Sequence, residues 1–371
     1  MNIIIIEDSS LSSLGGGQKI TELVINILSK NHQLCLFDSS NNTLFFNRVK
    51  KYVNSSFRYF GINLYRYKNK NNFNVSIAEI IFNFLLIPVN LFLFYKNINN
   101  LNLKKKIIYC PTKKGFIYGV LIKLLIKNSY LIFHAHNSFD KKSFLSIFFL
   151  KIVKIFSDKV FSASNFVHKT LIPLNSIVIN NCIQPNLQFS LQKKIIHSFN
   201  IGVCASFHSY KGIEVFIESS KLNQNNKLNF FIYGDGPNKK RLKKLSNNSC
   251  KFFGFVENME NEYTNKIDVL VVPSVAPEAF SIVIIEAMYF GIPVIATNIG
   301  AHSDLIKDKF NGLLINPNNA KSILDAINLL YRDNKLFNYI RINAKKSFDK
   351  YSYENFKKTI NKEFNKIDNI S

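Results

Sequence analysis

The stretch that decides the fold is VPSVAPEAFSIVIIEAMYFGIPVIAT, residues 272–297. It begins at the end of an apolar run over 268–272, which is typical of a buried strand. Ser281 is a residue type that favours the start of a helix, and Gly291 suits the position just after a helix ends. A second apolar run over 293–296 follows. The stretch therefore predicts strand, loop, helix and strand, which is the repeating unit of a parallel α/β sheet.

The predicted helix carries residue types that suit a phosphorylated ligand. Its first four residues, 282–285, are β-branched and favour a strand by propensity, but the serine before them and the glycine after the run favour a helix. A helix beginning there directs free backbone N–H groups from Phe280 to Ile282, and the positive end of its dipole, towards a diphosphate. The carboxylates of Glu278 and Glu286 can each accept hydrogen bonds from the paired hydroxyls of a sugar or a ribose.

The same alternation of short apolar runs and helical stretches extends over the whole chain. A length of 371 residues suits two domains. Helices are predicted between the strands, among them 17–30 and 115–127, and a polar stretch over 183–198 is predicted as a linker. The predicted strands are 2–6, 33–37, 106–110, 130–134 and 159–162 before the linker, and 200–204, 229–233, 251–253, 268–272 and 293–296 after it.

We therefore predict two doubly wound, Rossmann-like α/β domains that face each other across a cleft. The first covers residues 1–190 and the second covers 198–352. Ligands of such sheets bind beyond the carboxyl ends of the strands. A final run over 353–371 places Tyr353, Phe356, Ile360 and Phe364 at helical spacing.

The stretch around Glu278 and Glu286 resembles the family 4 retaining glycosyltransferases of GT-B fold, of the bacterial polysaccharide-biosynthesis type. The family is marked by two glutamates separated by seven residues within P-S-x-x-E-x-F-x-x-x-x-x-E-A-M-x-x-G-x-P-V-I-A-T. This chain has one extra loop residue before Glu278. It keeps Pro273, Ser274, Glu278, Phe280, Glu286, Ala287, Gly291, Pro293, Val294, Ala296 and Thr297.

The resemblance implies transfer of a sugar from a nucleotide-diphosphate sugar with retention at the anomeric carbon, as in hexosyltransferases. It places Glu278 on the donor sugar, Glu286 on the ribose and the amides at Phe280, Ser281 and Ile282 on the diphosphate. It also implies no cofactor, no divalent metal and no enzyme nucleophile. The chain accordingly has no D-x-D arrangement near these residues.

Shorter motifs extend the resemblance across the chain. Gly16 and Gly17 follow the first predicted strand, and the family has similar glycines against the donor diphosphate. Phe255 and Val256 follow the strand 251–253, where the family reads the nucleotide base through its backbone. Without a ligand, the glycines would simply form a turn.

Two cationic or titratable positions complete the predicted site. Lys211, before Gly212, resembles the family's K-G signature and would neutralise the leaving diphosphate. The family usually has an arginine five residues earlier, where this chain has Ser206. His136 ends a predicted strand and aligns with a family histidine close to the transferred sugar. Without a role in the site, Lys211 would be an ordinary surface lysine and His136 would be a buried histidine of the core.

The net charge of +24 is concentrated in the first half of the chain. Residues 1–200 contain 25 basic and 7 acidic residues, a net charge of +18. Such a surface attracts an anionic membrane, although a solvated lysine-rich surface is the alternative. No nucleic-acid-binding module is recognisable, so we expect no nucleic-acid partner. The apolar segment 77–95 contains Glu79 and Pro88, which favours a membrane-facing or buried helix over a membrane span.

These features predict a cytoplasmic enzyme at the inner face of the cell membrane. Its acceptor would be a saccharide or a lipid-linked saccharide in O-antigen, capsule or exopolysaccharide assembly. Two alternatives stay open. One is an inverting or epimerase-type enzyme of the same fold with His136 as its base. The other is a non-catalytic nucleotide-sugar-binding or scaffold protein, an alternative that Ser206 keeps open.

Overall fold

In the computed structural model, the structure describes residues 2–7, 16–38, 43–58, 106–126, 128–185 and 198–370, together with positions 89, 92 and 96. The chain divides into two compact units. The first unit comprises Met1–Asn180 and Phe356–Ser371, and the second comprises Asn181–Asn355. Residues 186–197 of the predicted linker lie outside the described residues.

The first unit is built on a parallel sheet of seven strands in the order β3-β2-β1-β4-β5-β6-β7. Its central strand owes its place to composition, because Ile3 to Ile6 are at most 1% exposed, as expected for a strand covered on both faces. The strands are β1 (Asn2–Glu7), β2 (Gln33–Asp38), β3 (Ser55–Arg58), β4 (Lys106–Cys110), β5 (Ser129–Ala135), β6 (Lys159–Ser162) and β7 (Ser176–Val178).

Helices connect these strands and cover the sheet. They are α1 (Gly16–Leu28), α2 (Thr43–Val49), α3 (Lys113–Leu125), α4 (Phe144–Phe156) and α5 (Asn165–Leu171), with a 3-10 turn at Lys50–Tyr52. The last helix of the chain also belongs mainly to this unit. Its residues Phe356, Ile360 and Phe364 are buried, as their spacing predicted, and the Phe364 ring lies 6.0 Å from that of Tyr109.

The second unit has a parallel sheet of six strands in the order β10-β9-β8-β11-β12-β13. The strands are β8 (Phe199–Cys204), β9 (Leu228–Tyr233), β10 (Lys251–Gly254), β11 (Val269–Val272), β12 (Val294–Thr297) and β13 (Leu313–Ile315). The helices are α6 (Ile213–Leu222), α7 (Lys239–Ser246), α8 (Glu260–Asn265), α9 (Ile282–Tyr289), α10 (His302–Leu305), α11 (Ala320–Arg332) and α12 (Asn334–Phe348), with 3-10 turns at Ser209–Lys211 and Asp349–Tyr351. The last helix of the chain, α13 (Tyr353–Ile370), begins in this unit and belongs from Phe356 onward to the first unit.

All ten predicted strands form, and each of their ends lies within one residue of the predicted position. The sequence missed β3, β7 and β13. Each of these strands has three or four residues and lies at an edge of its sheet, where one neighbouring strand suffices and a long apolar run is not required.

Two further expectations meet the structure here. All five cysteines are free and buried, as expected for small apolar side chains. The apolar segment 77–95 lies outside the described residues except for positions 89 and 92. Among the helices that the structure describes, none is both long enough and apolar enough to cross a membrane.

Candidate functional site

The strand order of the second unit brings two loops together at one edge of its sheet. β8 and β11 are neighbours, and the chain leaves them towards opposite sides of the sheet, to β9 and to β12. Such a reversal opens a crevice at the carboxyl ends of the two strands. Here the loops touch, because the backbone N–H of Val275 donates a hydrogen bond of 2.9 Å to the carbonyl of Tyr210.

Gly212 allows the lysine loop to lie directly against the loop that follows β11. Its φ of +67° lies in the left-handed region. A Cβ atom at this position would lie 2.0 Å from the carbonyl oxygen of Pro273, which is far inside van der Waals contact. Only glycine, which has no Cβ atom, fits there. The glycine of the K-G pair is therefore required by packing, and it fixes the position of Lys211 at the crevice.

Lys211 and Glu278 form an ion pair in this crevice. The Lys211 Nζ atom lies 2.7 Å from Oε2 of Glu278, and the side chains are 20% and 8% exposed. Burial alone would raise the pKa of Glu278, but the His302 ring and the positive charge of Lys211 outweigh it and lower that pKa to about 2. The carboxyl group of Glu278 is therefore an ionised acceptor at any physiological pH.

Three further side chains lie around the carboxylate of Glu278. The Ser274 hydroxyl donates to its Oε1 atom, and Nε2 of His302 lies 3.8 Å from the same oxygen, beyond hydrogen-bond distance. His302 is fully buried, and its Nδ1 donates to the carbonyl of Thr297 over 2.9 Å. The Thr297 hydroxyl in turn donates to the carbonyl of Ser274 over 2.7 Å. Lys211 and Ser274 thus each hold one carboxylate oxygen of Glu278, while Nε2 of His302 has no hydrogen-bond partner among the described residues.

Sequence reasoning missed His302 and gave Ser274 and Thr297 no role beyond the motif. His302 follows β12 closely, at the same sheet edge as the two loops, and that position was the available signal. Gly300, two residues before His302, allows the backbone of this loop to pass close to Glu278. Its φ is +57°, and a Cβ there would lie 2.6 Å from the backbone of Glu278.

Helix α9 begins directly beside this network. Ser281 occupies its N-cap position, as predicted, but its side chain makes no capping hydrogen bond, so the expected serine cap is wrong in that respect. Ile282 is the first helical residue, so its N–H group has no acceptor further back in the helix, whereas the N–H of Ile284 donates to the carbonyl of Ser281 over 3.2 Å. Phe280 is half-buried, with its ring 6.1 Å from that of Tyr351.

Glu286 lies within α9, apart from the Lys211–Glu278 pair. The Tyr263 hydroxyl donates a hydrogen bond of 3.1 Å to its Oε2 atom. Burial, followed by the nearby Cys204 and Glu286, raises the pKa of Tyr263 well above its usual value, so the hydroxyl stays protonated and acts as the donor. Glu286 is half-buried and oriented by this bond.

The residues predicted to read a nucleotide base follow β10. Phe255 is 71% exposed, whereas Val256 is half-buried and packs against the core around α9. Gly254, just before them, has a φ of +80° and accepts a hydrogen bond of 2.7 Å from the N–H of Gly234. An exposed aromatic ring beside an exposed backbone is compatible with stacking on a flat ligand.

Two predicted site residues begin a helix in the first unit. Gly16 is the first residue of α1, and Gly17 is exposed. A Cβ built on Gly17 would meet no atom within 4 Å. The space beside this helix start is therefore open, so the backbone can be approached closely. Gly15 lies outside the described residues.

His136 follows β5 in the first unit and stacks on His134. The two ring centroids lie 4.1 Å apart, which confirms that both side chains lie on one side of the sheet. Burial lowers the pKa of His136 to about 4, so the ring is neutral at physiological pH. Neither of its ring nitrogens has a hydrogen-bond partner among the described residues. Nδ1 of His134 shares a hydrogen bond of 2.6 Å with the Tyr109 hydroxyl.

The described part of the chain contains no group of three or more His, Cys, Asp or Glu side chains that could hold a metal ion. Ser206, at the position of the family's arginine, is exposed. The structure therefore brings Lys211, Glu278 and the start of α9 together in the second unit. Gly16, Gly17 and His136 lie in the first unit.

Known proteins are similar to this chain in sequence and in fold. Residues 194–347, most of the second unit, match the family model of Glycosyl transferases group 1. The uncharacterized glycosyltransferase MJ1607 of Methanocaldococcus jannaschii is 32% identical over 206 residues, which cover 50% of this chain and 52% of that protein. The O-antigen biosynthesis glycosyltransferase WclY of Escherichia coli is 28% identical over 165 residues, 41% of this chain and 44% of that protein. The chain thus matches about half the length of these two relatives.

A solved structure shares the fold over the whole chain. The crystal structure of Anabaena Alr3699/HepE in complex with UDP covers 99% of this chain and 100% of its own, with a TM-score of 0.79 and 18% identity. This similarity establishes the fold class, two Rossmann-like α/β domains as in the GT-B glycosyltransferases.

Proposed function

We propose that this protein is a retaining, metal-independent glycosyltransferase that takes a hexose from a nucleotide-diphosphate sugar. One observation carries the proposal. An ionised carboxylate, Glu278, and the ammonium group of Lys211 lie 2.7 Å apart at the carboxyl ends of two adjacent parallel strands, beside the start of α9. Such an edge is where open α/β sheets bind nucleotides, and the pair offers a hydroxyl acceptor next to a phosphate partner.

The donor would be held by groups with complementary charge. Lys211 and the amides at Phe280, Ser281 and Ile282 would bind the diphosphate, because cations and helix starts stabilise phosphate oxygens. Glu278 would accept hydrogen bonds from the sugar hydroxyls, and Glu286, oriented by Tyr263, from the ribose.

The remaining donor contacts are proposed from position. The backbone at Phe255 and Val256 would contact the base, with the Phe255 ring exposed beside it. Gly16 and Gly17 would let the start of α1 approach the diphosphate closely. His136, neutral and with both ring nitrogens free of partners among the described residues, would hydrogen-bond the transferred sugar.

The proposed reaction exchanges one bond at the anomeric carbon for another. The bond between the anomeric carbon and the diphosphate oxygen breaks, and the acceptor oxygen bonds to the same face of that carbon. The acceptor's proton passes to a phosphate oxygen of the leaving diphosphate. Lys211 and the first amides of α9 stabilise the negative charge that develops there, so no enzyme nucleophile is needed.

The acceptor is proposed as a saccharide or lipid-linked saccharide of a bacterial envelope polysaccharide, such as O-antigen, capsule or exopolysaccharide. The relative named for O-antigen biosynthesis supports this setting. A basic first unit at the inner face of the cell membrane is consistent with a lipid-linked acceptor.

The test is donor binding and turnover by the purified protein. A thermal-shift screen of nucleotide sugars comes first, since a ligand of the native state raises the melting temperature. Transfer or slow hydrolysis of the best donor is then measured for the wild type, Glu278→Gln and Lys211→Ala, and NMR of the product anomer separates retention from inversion. Lys239→Ala is the matched control, because Lys239 pairs with Asp235 on the surface of the same unit. Equal turnover by all four proteins contradicts the proposal.

The exposed Ser206 favours a second candidate, a nucleotide-sugar-binding protein without catalysis. With a serine at this position, Lys211 is the one side-chain cation that we assign to the diphosphate. A melting-temperature shift with a nucleotide sugar, but no product even with saccharide acceptors, supports this candidate. A Ser206→Arg variant that turns over donor faster than the wild type supports the enzyme.

A further inference from the structure

Helix α4 of the first unit exposes large apolar side chains along its outer side. Phe144, Leu145 and Ile155 are 78%, 76% and 73% exposed, and Phe148 is 55% exposed. With Ile147, these five residues form what we call the α4 face. On a helix, positions 144, 148, 151 and 155 fall on one line, so the exposed Lys151 lies within this face, between Phe148 and Ile155. Monomeric proteins seldom leave such a surface in water unless it binds something.

The opposite side of α4 is fixed against the sheet. Val153 is fully buried, and the Phe149 ring lies 5.5 Å from Phe133 and 5.8 Å from Phe116. The helix therefore cannot turn the α4 face inward without losing this aromatic packing. Among the described residues of the first unit, the exposure of this face therefore follows from how α4 packs on the sheet.

All charges along α4 have the same sign. Between positions 141 and 157 the chain has four lysines and no acidic residue. They are Lys141, Lys142, Lys151 and Lys154, and each is exposed. Just outside this stretch, Asp140 is exposed at one end, and Asp158 at the other end is paired with Lys123 at 2.5 Å.

The surface extends beyond the helix. Lys123 also donates to the carbonyl of Phe156 over 3.0 Å, which brings the end of α3 to the end of α4. The last two residues of α3, Leu124 and Leu125, are 65% and 50% exposed. The apolar surface thus covers the outer side of α4 and the adjoining end of α3.

We propose that the α4 face docks the first unit onto an anionic lipid bilayer, with the helix lying in the plane of the interface. A helix side that carries both apolar side chains and lysines binds such interfaces by inserting the apolar groups and pairing the ammonium groups with acidic headgroups. A second copy of the chain is a poorer occupant, since a symmetric contact would bring the same lysines against each other. The inference does not rest on the proposed function.

Vesicle binding tests this directly. The full chain is sedimented with vesicles of phosphatidylcholine alone and with vesicles that also contain phosphatidylglycerol, at low and high salt and without any donor. Wild type is expected to bind the anionic vesicles, and less at high salt. Phe144→Ser/Phe148→Ser should lower the partition coefficient by roughly tenfold or more, because two apolar rings are lost. Lys151→Gln/Lys154→Gln should weaken binding and its salt dependence.

The matched control removes apolar side chains of similar exposure from the second unit. Tyr339 and Ile342 are 51% and 46% exposed on α12, and Tyr339→Ser/Ile342→Ser should bind vesicles like the wild type. Thermal melting of each variant shows that it is folded. A wild type that stays in the supernatant, or a Phe144→Ser/Phe148→Ser variant that binds as well as the wild type, overturns the inference.

A second measurement uses the absence of tryptophan from the chain. The emission of a Phe148→Trp variant should shift to shorter wavelength on addition of anionic vesicles, whereas that of Tyr339→Trp should not. If the emission of Phe148→Trp shifts with protein concentration and not with added vesicles, the α4 face binds a second copy of the chain. That result would overturn the inference of bilayer docking.

Discussion

The Nζ atom of Lys211 lies 2.7 Å from Oε2 of Glu278, although the two residues are 67 positions apart in the chain. Each follows a parallel strand, and the pairing of β8 with β11 makes their loops neighbours. The pair therefore depends on the sheet and on Gly212, and several of its consequences can be measured.

Removing the cation should slow the proposed transfer. Lys211→Ala is expected to lower kcat/KM by about a hundredfold to a thousandfold, the usual cost of losing one charge-stabilising group at a leaving oxyanion. Lys211→Arg should recover part of the rate because it keeps the charge. Steady-state kinetics with the best donor measures both. A Lys211→Ala enzyme that keeps the wild-type rate while Lys239→Ala loses it would place the cationic group elsewhere.

Glu278 should make stability depend on pH in a defined window. Its pKa falls from 4.5 to about 2 on folding. A lowered carboxyl pKa contributes stability that is complete above the unfolded value and is lost as pH falls towards the folded value, about 3 kcal/mol in all. Urea unfolding of wild type and Glu278→Gln from pH 7 to pH 3 should show the wild type's advantage shrinking below about pH 4.5. If the difference in unfolding free energy between wild type and Glu278→Gln stays constant from pH 7 to pH 3, the prediction is wrong.

His302 should matter for stability as well as for the site. His302→Leu removes one of the two hydrogen bonds to the buried carbonyl of Thr297, which still accepts from the N–H of Ile299 over 2.9 Å. The expected cost is about 0.5–1.5 kcal/mol in the free energy of unfolding. The KM for the donor should also rise, because Glu278 is no longer confined on that side. The adjacent Ser303 is exposed, so Ser303→Ala is the control and should change neither quantity.

Two glycines with positive φ should respond differently to alanine. Gly254→Ala places a Cβ in open space at a φ of +80°, so its cost is the backbone strain, roughly 1–2 kcal/mol. Gly212→Ala adds a collision with the carbonyl of Pro273 and should cost more, as well as displacing Lys211. Chemical denaturation measures the free energy of unfolding of both variants. Equal decreases would show that the loop at Pro273 moves to accommodate the added Cβ atom at little cost.

His136 should titrate far below an ordinary histidine. Its pKa is lowered from 6.5 to about 4 by burial. A lowered histidine pKa means that the unfolded chain binds the proton first, so stability falls as pH drops from 6.5 towards 4, by up to about 3 kcal/mol. NMR of the ring protons should give a midpoint near 4, and His136→Phe should lessen the acid loss of stability. A midpoint near 6.5 would show that the ring is accessible to water.

The sequence located the main strands, the two repeated α/β units and the residues on either side of α9. This was possible because runs of buried β-branched residues, glycines after strands and the two-glutamate motif are local signals that survive without knowledge of the fold. The short edge strands β3, β7 and β13 carried no such signal, since strands of three or four residues with one neighbour need little apolar length.

The tertiary structure decided what those residues do to one another. The sequence named Lys211 and Glu278 as separate binding groups, but only the adjacency of β8 and β11 makes them an ion pair. Only burial next to His302 and Lys211 sets the pKa of Glu278, and only packing leaves one side of α4 bare. Local patterns thus specify the elements and the chemical types of their side chains. Distances and burial come from strand order and packing, which join residues that are far apart in the chain.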